Sequence, residues 1–389
     1  VNRVTSSDIA KAAGVSRTTV SFVLNGKKAT GISEQTRARV LETAASLGYV
    51  PNSAARMLVS GRSRTLGLIL AHGDLMTFDA YAPPLMFGIN RVCNSRGYKL
   101  LVDAVEGRRQ RNGYLDLARS KSIDALIVLN CSEEDRDLHS VIDSGFPVIL
   151  LGSIGHPKEN SVLSGAEKMA ERATRHLLDL GHRRVAHITY APAHYLGALD
   201  RCRSYQRALR KAGIEFDEKL VGYGDFNVES GYHAMRTILA RTKRFTALFA
   251  GNDTIAVGAM AALREAGLSV PDDVAVVGFD NLPLAAYTYP PLTTVTTEPI
   301  GHGEAAALAA LELLAGRSVG VRKCRLPLEL IIRESCGANL RLNSRKRRQR
   351  TQENRVRTAD EHRLTQIKNV DVAQHGPKKI SRKAAKTPR

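Results

Sequence analysis

Two hydrophobic rhythms divide the chain. Over the first fifty residues, apolar positions recur three and four apart in short runs, the spacing of amphipathic helices. In "SSDIAKAAG", Ile9, Ala10 and Ala13 form a one-sided stripe. Thr5 and Asp8 stand in capping-box spacing, with Asp in place of the usual Glu or Gln. Gly14 stops this helix and Ser16 caps the next. Val20, Val23 and Leu24 form the second inward face, Val15 anchors the turn, and Asn25-Gly26 ends the helix. Ser33 caps a third helix with Val40, Leu41, Ala44, Ala45 and Leu47 inward, closing at Gly48. Two short helices joined by a tight glycine-containing turn form a helix-turn-helix pattern.

From Thr65 to about Cys336 the rhythm changes. Continuous apolar runs, "LGLIL", "YKLLVDA", "DALIVL", "PVILLG", "RVAHITY", "ALFAG" and "VAVVGF", alternate with helical segments such as 227–239 and 253–266. Such runs predict parallel strands covered on both faces. Seven strands over about 270 residues predict two doubly wound subdomains with a cleft between them, so the fold class is α/β with a small all-α domain in front. Ligands of open parallel sheets bind beyond the strand C-termini, where this chain places Asn252, Asp253, Asp280 and Asn281. Arg201 lies at the start of a helix after a strand and loop, and Phe226 precedes another helix. A carboxylate, an amide, a guanidinium and an aromatic face suit a polyol or sugar. Taken singly, Asp253 also reads as a helix cap and Arg201 as a solvated charge.

Composition narrows the partners. The 389 residues are 43% hydrophobic and 24% charged, with a formal net charge of +19 and a pI near 9.9, a balance that favours a polyanionic partner. From Gly337 onward there are 16 Lys/Arg against 4 Asp/Glu, in runs without apolar periodicity. This predicts a disordered basic tail, read either as a solvated end or as an arm adding nonspecific phosphate affinity. No run is long and apolar enough for a membrane span, and "VNRVTSSD" has no signal-like apolar region, so a cytoplasmic protein is expected. The five cysteines have no metal or disulfide spacing. His72, His187 and His194 form no ligand pattern, so no metal site and no cofactor are expected. The chain lacks G-x-S-x-G, a P-loop and H-E-x-x-H, so no catalytic residues are assigned. An extracytoplasmic solute-binding protein, an α/β enzyme and an architectural DNA binder driven by the tail are the alternatives to a specific DNA binder.

The second helix turns Arg17, Thr18, Ser21 and Phe22 away from its core stripe. N-terminal residues of such a helix face base edges in the major groove. Arg can pair with guanine O6 and N7, and Thr and Phe can pack on a thymine methyl. Ser16, Thr19, Ser21 and Asn25 suit phosphate oxygens. Pattern alone leaves open a surface helix of another small domain. After "LGYVPN", Pro51 breaks the chain, Asn52 or Ser53 can cap a further short helix, and Gly61 can end it. At about eight residues it is too short to be stable alone in water.

The stretch "TSSDIAKAAGVSRTTVSFVLNG…ISEQTRARVLETAASLGYVPNSAARMLVSGRS" closely resembles the DNA-binding headpiece of the lac repressor (LacI/GalR) family of bacterial transcription factors. "LGHRRVAHIT", "DRCRSYQRAL", "ALFAGNDTIAVGAMAALREAGLSVPDDVAVVGFDN" and "YPPLTTV" are similar to its effector-domain motifs, a two-lobed fold related to periplasmic sugar-binding proteins. The resemblance implies a headpiece at 1–50, a hinge helix at 51–62, an effector and dimerisation domain at 63–337, and the tail at 338–389. It implies that Arg17, Thr18 and Phe22 read bases, that Leu58 is a minor-groove wedge, and that Arg56 lies near phosphate. It makes Tyr81, Arg201, Phe226, Asn252 and Asp280 effector-contacting positions. The implied molecule is a homodimeric repressor on a pseudo-palindromic double-stranded operator, controlled by a sugar-like effector, with induction or corepression both open. Three crossings between the lobes are implied, near residues 160, 290 and 325, with the first lobe taking its last strands from the segments after Pro291 and near "CRLPLELIIRES". The chain departs from the family at Phe22, where many members have Arg. It departs again at the expanded "KKATG" loop, at Gly152, at Leu163-Ser164 where Asp-Asn is common, and in "GDLMTFDAYAPPLM".

Overall fold

A computed structural model of the chain describes residues 4–24, 31–50, 57, 60–71, 79–104, 113–324 and 326–338. The expectations for Asn25, Arg56, Leu58 and the tail from 339 lie outside the described residues.

The first fifty residues hold three helices, α1 (Ser6–Ala13), α2 (Arg17–Leu24) and α3 (Glu34–Ser46). The capping box forms: Asp8 N donates to Thr5 Oγ1 at 3.4 Å, and Thr5 N donates to Asp8 Oδ2 at 2.8 Å. Gly14 ends α1 at φ 64°, a left-handed turn that only glycine adopts without strain. Ser16 Oγ accepts from Thr19 N at 3.1 Å to start α2, and Ser33 Oγ accepts from Thr36 N at 3.2 Å to start α3. Ile9, Ala10, Ala13, Val20, Val23, Val40 and Ala44 close a small core. Leu41, Ala45 and Leu47 are exposed, not inward as the sequence suggested. The core of three short helices is filled by one narrow stripe, and among the described residues the second apolar row of α3 finds nothing to pack on.

Beyond the headpiece stand two parallel α/β lobes. The N-terminal lobe contains β1 (Thr65–Leu70), α4 (Ala82–Ser95), β2 (Lys99–Ala104), α5 (Gly113–Arg119), β3 (Ala125–Leu129), α6 (Arg136–Asp143), β4 (Val148–Leu151) and β5 (Ser161–Leu163). The C-terminal lobe contains α7 (Ala166–Asp179), β6 (Val185–Thr189), α8 (Leu196–Lys211), β7 (Val221–Tyr223), α9 (Val228–Arg241), β8 (Ala247–Ala250), α10 (Asp253–Glu265) and β9 (Ala275–Val277). The strand pair β10 (Thr294–Val295) and β12 (Leu330–Ile331) flanks it. The chain returns to the first lobe through α11 (Pro299–Leu314) and β11 (Val321–Lys323) between these two strands. The first sheet has the order β11-β5-β4-β3-β1-β2 and the second β7-β6-β8-β9, all parallel.

The chain passes between lobes after β5, after β10 and after β11, close to the three expected places. The first lobe takes its last strand, β11, directly before "CRLPLELIIRES", as expected. The expectation is corrected for the segment immediately after Pro291, which serves the second lobe, as does Leu330–Ile331. Thr293 bridges Val277 in parallel, and Val276 N donates to Ser335 O at 2.7 Å. Both segments mix apolar with polar residues, "LTTVTT" and "LPLELII", so pattern alone could not say which sheet they would join.

Each lobe is held by a buried layer of aliphatic side chains on both sheet faces. The crossing of α4 and α11 is close enough to need glycine on both helices. A Cβ on Gly88 of α4 would strike the Ile300 carbonyl, and one on Gly303 of α11 would strike the Leu85 carbonyl.

Candidate functional site

A cleft of about 440 Å³ lies beyond the C-terminal ends of the strands, lined by residues of both lobes. Tyr81, Arg201, Phe226, Asn252 and Asp280 all line it, although they come from five separate stretches of sequence. Tyr81 is the N-cap of α4, Arg201 lies in the second turn of α8, Asn252 caps α10, and Phe226 and Asp280 occupy loops after β7 and β9.

Arg201 is the best-anchored of these groups. Its guanidinium lies 4.3 Å from the Tyr190 ring centroid and 4.0 Å from that of Phe279. It donates to Gly251 O at 2.5 Å, and its Nη2 is 3.7 Å from Asp280 Oδ1. Two aromatic faces, a carbonyl and a carboxylate fix its plane. Asp280 is its counterpart. Its carboxylate is buried, and Oδ1 has no hydrogen-bond partner among the described residues. Burial pushes this carboxyl up to about 6, against the pull of Arg201 and with a further push from Asp79. A buried acceptor beyond hydrogen-bonding distance of its guanidinium is suited to receive a donor from a ligand.

The other members divide their hydrogen bonds between structure and cleft. Asn252 Oδ1 accepts from Ile255 N at 2.8 Å and Thr254 Oγ1 at 2.9 Å, so its amide NH2 is what remains to donate. Phe226 packs edge-on against Tyr190 and Tyr195, and its backbone is pinned by Tyr190 O and Thr254 Oγ1. The Tyr81 hydroxyl is 2.9 Å from His302 Nδ1, and His302 Nε2 is 2.8 Å from Val162 O. A carbonyl only accepts, so Nε2 carries the proton and Tyr81 donates to Nδ1. Burial holds the His302 imidazole below its usual range, in the neutral form this chain of bonds requires.

Several cleft residues were not singled out from the sequence. Asp79 accepts from Tyr81 N at 2.9 Å and from Asn130 Nδ2 at 3.3 Å, and burial raises its carboxyl. His302, from α11, reaches the cleft only because the chain crosses back to the first lobe. The sequence signal available was Asn130, which directly follows the run "DALIVL". Asn130, Phe226 and Asp280 have φ of 57°, 60° and 104°. Non-glycine residues held in this region mark sites where the surroundings over-determine the backbone.

Asp253, the cap alternative weighed from sequence, instead begins α10 fully buried. Its carboxyl group meets Thr294 Oγ1 at 2.5 Å and accepts from Leu282 N at 2.7 Å, tying β10 to the second lobe. Among the described residues no group of His, Cys, Asp and Glu could hold a metal ion. No described helix is long and apolar enough to cross a membrane. His187 is buried and stacked between Tyr205 and Phe249. His72 lies outside the described residues.

On the headpiece, Ser16, Arg17, Thr18 and Ser21 are exposed, while Thr19 and Phe22 are half-buried. Ser16 Oγ is also 2.9 Å from Thr19 Oγ1, so the two hydroxyls meet at the cap. The exposed row is polar and lies opposite Val20 and Val23, the geometry expected of a helix laid against a groove.

Comparison with known proteins supplies the family. Residues 5–52 match the lacI family of bacterial regulatory proteins, and residues 174–336 match the periplasmic binding protein-like domain. The HTH-type transcriptional regulator CelR of Thermobifida fusca is 33% identical over 84% of this chain and 96% of its own length. The ribose operon repressor of Escherichia coli K12 is 34% identical over 75% of this chain and 87% of its own length. Among solved structures, a lac repressor dimer bound to operator and the anti-inducer ONPF superposes with a TM-score of 0.76 at 28% identity, covering 86% of this chain and 99% of that one. A CelR–cellobiose complex superposes at 0.65 with 32% identity, covering 86% and 100%. The chain belongs to the LacI family, DNA-binding transcriptional regulators that respond to small effectors.

Proposed function

We propose that the chain is a homodimeric repressor of a pseudo-palindromic operator, released by a small polyhydroxylated effector held in the cleft. The observation that carries the effector reading is the Asp280–Arg201 pair. It sets one open buried acceptor and one pre-oriented guanidinium side by side in a cleft built from both lobes. A sugar hydroxyl can donate to the first and accept from the second, and its ring can lie against Phe226. The relatives' names agree in kind: cellobiose occupies the CelR structure, and another relative is a ribose operon repressor.

Base reading falls to Arg17, Thr18 and Phe22, phosphate positioning to Ser16, Thr19, Ser21, Asn25 and Arg56, and the central step of the operator to Leu58. The effector acts through its differential affinity for two lobe arrangements. Residues from both lobes grip it, so it favours the closed arrangement and shifts the spacing of the hinge segments.

Selection of bound duplexes from random sequence, followed by release assays with sugars and nucleobases, tests this reading. An inverted-repeat consensus and release by a sugar are expected. No consensus defeats the operator reading, and release by a nucleobase alone defeats the sugar reading.

A further inference from the structure

The end of the N-terminal lobe opposite the cleft is basic. Arg62 and Arg64 precede β1, Arg96 and Lys99 bracket the turn into β2, Arg119 and Lys121 lie before β3, and Arg317 lies before β11. All seven are exposed. The strands start in register, with Thr65 opposite Lys99 and Leu66 opposite Ala125, so the first six of these charges share one edge. The single acidic side chain in the turns that start β1, β2 and β3 is Asp124. It is consumed locally, accepting from Ser63 N at 2.7 Å, Ser63 Oγ at 2.8 Å and Arg64 N at 2.9 Å.

Some basic groups elsewhere on the lobes have carboxylate partners. Arg91 pairs with Glu304, Arg184 with Asp217, Arg207 and Lys211 with Glu171, Arg322 with Glu312 and Lys323 with Glu167. Among the described residues none of the seven is in an ion pair. Six like charges on one edge repel one another, a cost that an added polyanion removes. Topology says which polyanion can reach them. The chain enters β1 directly from the segment that joins it to the headpiece, through Gly61 and Ser63. The basic edge is therefore the end tethered to the DNA-reading module, and at most about eleven residues separate it from Val50, roughly 38 Å when fully extended.

We propose that this edge is a second DNA contact, gripping the phosphate backbone of the duplex that the headpiece reads. It rests on the reading that the headpiece binds a specific operator. The contact carries no base readout: it adds affinity and salt dependence and leaves sequence choice to α2. It also gives the lobes a direct hold on DNA.

The test uses the full chain with Arg96, Lys99 and Arg119 changed together to Gln. Operator affinity is measured by fluorescence anisotropy across a salt series. Each lost phosphate contact makes the slope of log K against log salt shallower by about 0.9. A change of about 2 or more is expected for the dimer, with the selected consensus unchanged. A second triple, Arg172, Arg175 and Arg210 to Gln, removes the same charge from exposed positions of the other lobe and should keep the original slope. Arg96→Lys with Arg119→Lys preserves charge and should keep it too. An unchanged slope in the first triple overturns the proposal, as does an equal change in the second triple or a lost slope in the Lys variant. If the unaltered chain selects no consensus, the operator reading fails instead, which separates the two failures.

Discussion

Replacing Arg201 with Met removes the guanidinium while keeping much of the side-chain volume. The charge-assisted hydrogen bond to Gly251 O goes with it, worth about 1.5–3 kcal/mol. Two aromatic contacts at 4.0 and 4.3 Å go as well, worth about 0.5–2 kcal/mol each where desolvated. Stranding a buried partner carboxylate ordinarily adds to such a loss. Here Asp280 already sits near 6, and without Arg201 its carboxyl rises further and takes up a proton, so that cost is largely avoided. The loss in stability is then about 2.5–7 kcal/mol, toward the lower end where the Met side chain keeps part of the aromatic contact. Effector binding suffers separately, because two charge-assisted hydrogen bonds to a hydroxylated ligand disappear. A loss of about 3 kcal/mol is more than a hundredfold in affinity. Thermal melting of the chain and anisotropy of labelled operator titrated with effector measure the two effects. The variant should bind operator normally and fail to release it. Release at the wild-type effector concentration would refute the placement of Arg201 in the site.

Other expectations follow from single contacts. Arg17→Ala should relax preference at one or two operator positions by about 1–3 kcal/mol, measured by binding to single-base operator variants; equal weakening on all duplexes would count against base reading. Gly88→Ala should destabilise the first lobe by about 1–3 kcal/mol or more, because the new methyl meets the Ile300 carbonyl; chemical denaturation reads it. Burial and the neighbouring Asp280 push the Asp253 carboxyl up to about 8. The folded state therefore holds a proton there that the unfolded chain releases near its ordinary 3.8, and stability contributed by this group falls as pH rises from about 4 to about 8. Melting temperature should decline over that window, less steeply in Asp253→Asn, and equal slopes would deny Asp253 this role.

Much of the fold was legible because its signals are local. The long apolar runs became strands of either sheet, and Thr5, Gly14, Ser16 and Ser33 cap or end helices where the pattern put them. The strands that escaped, β5, β7, β10, β11 and β12, are two or three residues long and have no period to detect. The fate of "CRLPLELIIRES" was decided by hydrogen bonds to Val276 and Thr294–Val295, partners distant in sequence. Arg201, Phe226, Asn252 and Asp280 were singled out because each follows a strand or opens a helix, and Tyr81 through the family resemblance; all five line the cleft. His302 was missed because only the chain's return to the first lobe brings it to Tyr81, and Asp79 because it lies just before Tyr81 in a segment with no strand or helix pattern. Leu41 and Leu47 were misplaced because helical periodicity reports an apolar row but not whether a neighbour exists to cover it.

The claim beneath all of this is that occupancy of the cleft governs the grip of α2 on DNA. Anisotropy of the selected operator, bound to the full chain and titrated with sugars, reads that coupling directly. The account predicts saturable release by at least one polyhydroxylated compound, abolished by Arg201→Met. Operator affinity that stays constant through every titration would contradict it.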